Sequence, residues 1–360
     1  MGGAVKRHND IMKSRGRFLI AYIGLTGAIT PFTSDSSAQT LTHDGKLPSF
    51  DNSSGQIPGM MLMNGTGQID AIVDQAHRSN RCKTIQEKSG QESVPVDFLK
   101  GMGYSLVRTM CGRSVSNPVA SGLSSGQKAS SVKGLMMAPA GLYSKKDVLA
   151  SGHYNQGIGI SEGSKNASHT YAILAALAMQ ESDANIVEGV DKSKDISLHT
   201  ETAEEAGAFQ VSADSQNLLD KGAYQELLSS YVTSIQAAGT DPSQLEKICR
   251  VSKFSGDGAK NGKESIDPNE LLQKVQQAIM GVSAVQTKLT DQQFQDINKT
   301  CPAFATEYAA LVARTNLGHN GPLVRGEVKP SEGCTQMFED LAELANSQFV
   351  CRDVGLQSVP

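Results

Sequence analysis

Residues 166–182, "NASHTYAILAALAMQES", constrain this chain more than any other stretch. From Tyr171 to Met179 apolar side chains occur at every helical angle, so a helix here has no face fit for water and must lie at the centre of a fold. Ser168 or Thr170 is the expected N-cap. The run then ends on a carboxylate, Glu181. A carboxylate set against such a surface is disfavoured as an anion unless paired, and such settings raise the pKa of catalytic acids. Glu181 either marks the place where a buried helix surfaces or is a general acid.

The other helices expected from periodicity and punctuation give a mainly α chain. Residues 70–82 place Ile72, Val73 and Ala76 on one side, and residues 96–111 form a second helix weakened by Gly101 and Gly103. Further on, "ADSQNLLDKGAYQELLSSYVTSI" is anchored by Leu218, Leu219, Leu227 and Leu228. Asp267 and Pro268 open another helix as cap and first residue, and Pro302 opens one that runs to Gly318. The last helix carries Met337, Phe338, Leu341 and Leu344. Residues 39–69 and 112–135 are rich in Gly, Ser, Asn and Pro without a sustained period, and read as loosely ordered. The expected organisation is a leader at 1–38, an N-terminal region of unknown role and partly irregular character at 39–150, and a helical domain at 151–360.

The leader expectation rests on a basic start (Lys6, Arg7, Lys13, Arg15, Arg17), the apolar run "FLIAYIGLTGAITPF", and small residues Ser36 and Ala38 before a cut at Gln39. The run is short and glycine-broken for a membrane span, although an uncleaved anchor is the alternative. Export puts the six cysteines in an oxidising compartment, and none forms a CxxC, so they read as disulfides. Their distribution suggests Cys82 with Cys111 and the other four among themselves. Net charge is −4, which gives no electrostatic case for nucleic acid.

Several short motifs fail on context. "GLSSG" around Ser124 lacks the strand and helix that a nucleophile elbow requires, so an esterase or protease is set aside. "GIGISEG" has the wrong glycine spacing for a dinucleotide. The loop from Asp191 has Ile196 and Thr202 where a calcium loop needs Gly and Glu. The histidines are scattered, so no metal and no cofactor are expected. Asn52, Asn64, Asn166 and Asn298 head glycosylation-type triplets of little weight.

The pair "MQES" (179–182) and "GAFQVS" (207–212) resembles the soluble lytic transglycosylase and goose-type lysozyme group, of the exported proteobacterial kind. The resemblance implies a lysozyme-like helical domain. Glu181 is then the catalytic residue, with Ser182 beside it and Gly207, Phe209 and Gln210 lining a sugar cleft. Tyr308, in "EYAALVAR", stands for the family's tyrosine near the glutamate, and "GPL" at 321–323 adds to the likeness. The interval between the motifs implies an inserted loop, "IVEGVDKSKDISLHTETAEEA". With tryptophan absent, Phe209, Tyr154 and Tyr224 are the rings on which sugars could stack.

Protonating a glycosidic oxygen near neutral pH needs an acid kept protonated by an apolar setting, which Leu174, Leu177 and Ala178 supply within a turn or two of Glu181. Glycine at 207 lets the backbone approach a ligand closely. The implied reaction is peptidoglycan cleavage at the MurNAc–GlcNAc bond. A lytic transglycosylase uses Glu181 first as acid and then as base towards the muramic 6-hydroxyl. A lysozyme-type hydrolase needs a second carboxylate, from Asp183, Asp191, Asp195, Glu201, Glu204 or Glu205. A silent wall-binding or envelope-assembly protein is the third reading. Glycan strands are the expected partner in each, in the periplasm or outside the cell, with no stable membrane span after leader removal.

Overall fold

The computed structural model describes residues 64–86, 90–112, 131–154, 163–187, 205–219, 221–254, 267–316, 318, 321–346, 350–351 and 354. The expected leader, Ser124 and its loop, the 157–162 glycines, and the inserted acids Asp191, Asp195, Glu201 and Glu204 lie outside them.

The described part is mainly helical. Its helices are α1 (Gly65–Arg78), α2 (Val96–Cys111), α3 (Val132–Met137), α4 (Ser164–Ser182), α5 (Lys221–Ala238), α6 (Pro242–Cys249), α7 (Val251–Phe254), α8 (Pro268–Ile279), α9 (Asp291–Thr300), α10 (Pro302–Thr315), α11 (Gly321–Arg325) and α12 (Glu332–Leu344). Five short strands accompany them: β1 (Lys83–Gln86), β2 (Gly90–Ser93), β3 (Glu205–Ala206), β4 (Val211–Ser212) and β5 (Val328–Pro330). β1 is the middle of a small antiparallel sheet, pairing with β2 on one edge and with β5 on the other, while β3 and β4 form a hairpin. No helix among the described residues is long and apolar enough to cross a membrane.

Helix α4 is central, as its all-round apolar sequence requires. It packs against α12, α2, α3 and α10, and against β1 and β5. Its cap differs from expectation. The N-cap is Gly163, and Ser168 and Thr170 sit inside the helix, where their hydroxyls donate to carbonyls one turn back, Ser168 to Lys165 and Ser164 and Thr170 to Asn166. The polar groups that would have made a cap instead satisfy themselves inside a dry helix. His169 is buried too, and burial pushes its imidazole down to about 4, so it is neutral.

Helices α1 and α2 join the same core. Asn64 caps α1 by accepting the Gly67 N–H at 2.9 Å, which starts the helix at Gly65 rather than at 70. Ile69, Ile72, Val73 and Ala76 form its buried stripe. In α2 the glycines that weaken helix propensity are packing sites. A Cβ on Gly101 would lie 2.2 Å from the Phe254 ring, so the absence of a side chain admits that ring. Burying a phenylalanine is worth about 2–3 kcal/mol, more than the roughly 1 kcal/mol that a mid-helix glycine costs. The long helix expected from Ala213 is interrupted: a single turn at Ala213–Asn217 precedes α5, and Leu218 is half-exposed rather than an anchor.

The segment from α3 to residue 150 is held by one buried cation. Arg314 of α10 donates through Nε to Asp147 Oδ1 at 3.0 Å, through Nη1 to the Met136 carbonyl at 2.7 Å and through Nη2 to the Ala138 carbonyl at 2.9 Å. Asp147 in turn accepts the N–H groups of Gly141 and Leu149 at 3.0 and 2.9 Å.

The disulfides are Cys82–Cys334, Cys111–Cys351 and Cys249–Cys301. The expected Cys82–Cys111 pair is therefore wrong: each of these cysteines joins the C-terminal part of the chain. The cause is spatial. β1 pairs with β5, and Ser331 donates to the Arg81 carbonyl at 2.7 Å, which brings Cys82 to the first turn of α12. Asn166 and Asn298 are buried, so neither is open to glycosylation in the folded chain.

Candidate active site

Helix α4 ends at Ser182, and its last turn faces the β3–β4 hairpin. The Ser182 hydroxyl lies 2.9 Å from the Ala208 carbonyl, in the hairpin turn, and 3.1 Å from the Ala178 carbonyl of its own helix. The same oxygen accepts the Asn185 N–H at 3.1 Å. One buried hydroxyl thus ties the helix end, the chain leaving it and the 207–210 turn together. The Ser182–Ala208 bond links the two sequence motifs directly.

The backbone here is unusual. Five non-glycine residues among those described have positive φ, and three of them border this place: Asp183, Ala184 and Gln210. Each such conformation costs on the order of 1 kcal/mol, and such residues cluster where geometry serves a site. Gly207 is also left-handed, at φ +74°, and a Cβ there would lie 2.8 Å from the Asn298 carbonyl. The close approach that demands glycine is therefore to the backbone of α9 rather than to a ligand. Gln210 is half-buried and curls back, its Nε2 donating to the Gly207 carbonyl at 2.8 Å.

Glu181 is half-buried at the helix end, next to the tied serine. Among the charges that act on Arg325, at the end of α11, is that of Glu181. Arg325 is exposed and grips Glu327 with two hydrogen bonds, Nε to Oε1 and Nη2 to Oε2. The bond to Glu327 raises the Arg325 pKa, and the charges of Glu327 and Glu181 add to the effect. Arg325 and Glu327 escaped the sequence reading because a three-residue strand and a five-residue helix leave little periodic signal, although "GPL" marked the segment.

The other expected site residues face inward. Phe209 is 1% exposed and packs 6.1 Å from the Phe98 ring. Tyr308 is fully buried among Phe294, Phe304 and Tyr224, with its hydroxyl 2.5 Å from Ser215 Oγ. Ser215 also donates to the Ser212 carbonyl at the end of β4. Tyr308 therefore supports the hairpin from behind instead of offering a sugar contact. Tyr154 and Tyr224 are buried as well, bonded to the Val328 carbonyl and to Gln216. None of the proposed stacking rings presents a face to solvent. Of the candidate second acids, Asp183 is exposed in the left-handed cap of α4, and Glu205 lies in β3. Among the described residues no group of His, Cys, Asp and Glu could hold a metal ion.

The arrangement can place one carboxyl group at a helix end beside a strained, serine-tied hairpin. No family model, curated protein or solved structure matches this chain.

Proposed function

We propose that the chain is a peptidoglycan-cleaving enzyme of the lysozyme-like, helical kind, acting on the bond between N-acetylmuramic acid and N-acetylglucosamine by lytic transglycosylation. The observation that carries this reading is the Ser182 hydroxyl on the Ala208 carbonyl, which fixes the Glu181-bearing helix end against the 207–210 turn. Glu181 gives its proton to the glycosidic oxygen as the bond from that oxygen to the muramic C1 breaks. The 6-hydroxyl of the same muramic residue then bonds to C1, and its proton passes to the Glu181 carboxylate. The product is a 1,6-anhydro sugar, water is not consumed, and the acid is regenerated. Ser182 and Gly207 hold the geometry, and Gln210, released from its own turn, can meet an N-acetyl group. The three disulfides suit an oxidising compartment such as the periplasm or the cell exterior.

A non-catalytic wall-binding role is the second reading. The inward-facing Phe209 and Tyr308 favour it, since neither ring is exposed for a sugar to stack on. Incubation of purified peptidoglycan with the chain and with Glu181→Gln, followed by mass spectrometry, separates the two. Anhydro-muropeptides from the unaltered chain alone are the expected result. Reducing-end products would transfer the assignment to a hydrolase. No products from either protein, with both still co-sedimenting with the wall, would leave the binder.

A further inference from the structure

Away from the candidate site, α2, α4, α5 and α10 meet at a buried polar cluster. Glu307 of α10 is 4% exposed, and its Oε1 accepts the Tyr231 hydroxyl of α5 at 2.8 Å. Arg108 of α2 approaches the same oxygen only to 3.6 Å. That is well beyond the 2.7–2.9 Å typical of a charge-assisted hydrogen bond. The guanidinium has other company. Its Nη1 donates to the Ile248 carbonyl at 3.2 Å, and its carbon lies 3.9 Å from the centre of the Tyr231 ring. Arg108 is therefore accommodated by neutral partners, and the ionised Glu307 is under-compensated.

The charged and titratable groups around Glu307 are few. Arg108 and Tyr231 touch it, and Tyr171 of α4, bonded to Thr109 at 2.8 Å, feels its charge. Glu226 of α5, whose carboxylate accepts the Val132 N–H, adds repulsion, and Arg250 faces Arg108 from beyond α6. One cation close by and one carboxylate further off do not replace the water that a carboxylate loses on burial.

We propose that this cluster is a proton-operated latch: with Glu307 protonated the four-helix junction is fully seated, and with Glu307 ionised the fold loses stability. The direction agrees with burial raising the carboxyl from its ordinary 4.5 to about 7, against the opposing pull of Arg108 and Tyr231. Between those two values the folded chain holds a proton that the unfolded chain has released. Stability from this group is therefore lost as pH rises from about 4.5 to about 7, and is level above. His169 works the other way. Its imidazole is kept neutral, so its contribution is lost as pH falls from 6.5 to about 4. The latch must accordingly be read as a difference. α10 also carries Tyr308, whose hydroxyl meets Ser215 beside β4, so one helix connects the junction to the hairpin.

The first test is carboxyl-detected NMR of the intact, oxidised chain. Glu307 should titrate near neutrality, and a midpoint at the usual glutamate value would overturn the proposal. The second is urea unfolding of the chain and of Glu307→Gln at pH 5 and pH 8. The ratio of their folding constants should fall by about tenfold to a few hundredfold between the two conditions. An unchanged ratio would sink the latch even if both proteins fold well.

Discussion

Helix α10 carries one member of each of two buried arginine–carboxylate pairs, two turns apart, and they behave as different objects. Arg314 and Asp147 meet at 3.0 Å, and both are also bound by backbone groups: two carbonyls on the cation, two N–H groups on the anion. Arg108 and Glu307 stand 3.6 Å apart with thinner support. Both pairs are largely withdrawn from water, at 1% and 2% side-chain exposure for Arg314 and Asp147 and 11% and 5% for Arg108 and Glu307. The small difference in burial does not by itself decide what a charged pair does. The hydrogen bonds around it decide. The first pair sews a segment of turns and one short helix onto α10. The second lies where α2, α5 and α10 meet, with one hydroxyl bond and a distant guanidinium on the carboxyl group.

That contrast is easiest to break at the better-bonded pair. Arg314→Met removes the cation but leaves Asp147 buried, and should cost about 3–5 kcal/mol in denaturant unfolding. A cost below about 1 kcal/mol would remove the distinction between the pairs. Arg108→Met should cost less, about 1–2 kcal/mol near pH 5.5, because Glu307 is then already neutral and the lost partners are a carbonyl and a ring. Its cost should grow at pH 8, where the remaining carboxylate has lost the cation beside it. A pH-independent cost equal to that of Arg314→Met would show the two pairs to be alike. The smallest effect belongs to Tyr231→Phe, about 0.5–1.5 kcal/mol, since one hydroxyl is lost and the ring stays. This loss should be larger at pH 8 than at pH 5, as a donor matters more to the ionised carboxylate. The reverse order would point to Tyr231 serving the neutral acid.

Periodicity and punctuation made much of this helical framework legible. The span of α2, the Asp267 and Pro268 start of α8, the Pro302 start of α10 and the burial of α4 all follow from side-chain pattern. Where the pattern misled, the chemistry was ambiguous. Ser and Thr near a helix start can cap it or bond back to it, and only packing chooses, which is why Gly163 is the cap. Phe209 and Tyr308 belong to suggestive motifs, but a motif does not say which face of a turn or helix looks inward. The link from Ser182 to the 207–210 turn joins two short motifs that lie far apart in the chain. The pairings of Cys82 and Cys111 were not foreshadowed. They depend on β1 meeting β5, short strands whose sequences, "KTIQ" and "VKP", carry no pattern of their own.

The disulfide connectivity has a consequence for how such a chain is made. Cys82 and Cys111 appear early during synthesis, yet their partners follow 252 and 240 residues later. In a chain oxidised as it emerges, the first two thiols to meet are each other, and that bond is absent from the finished fold. Correct oxidation therefore has to wait for the last helix or to undo an early mistake by thiol–disulfide exchange. The final stretch, from β5 onward, fastens β1 and α2. A product interrupted before Cys334 would leave Cys82, just before β1, and Cys111, at the end of α2, with free thiols and no native partner.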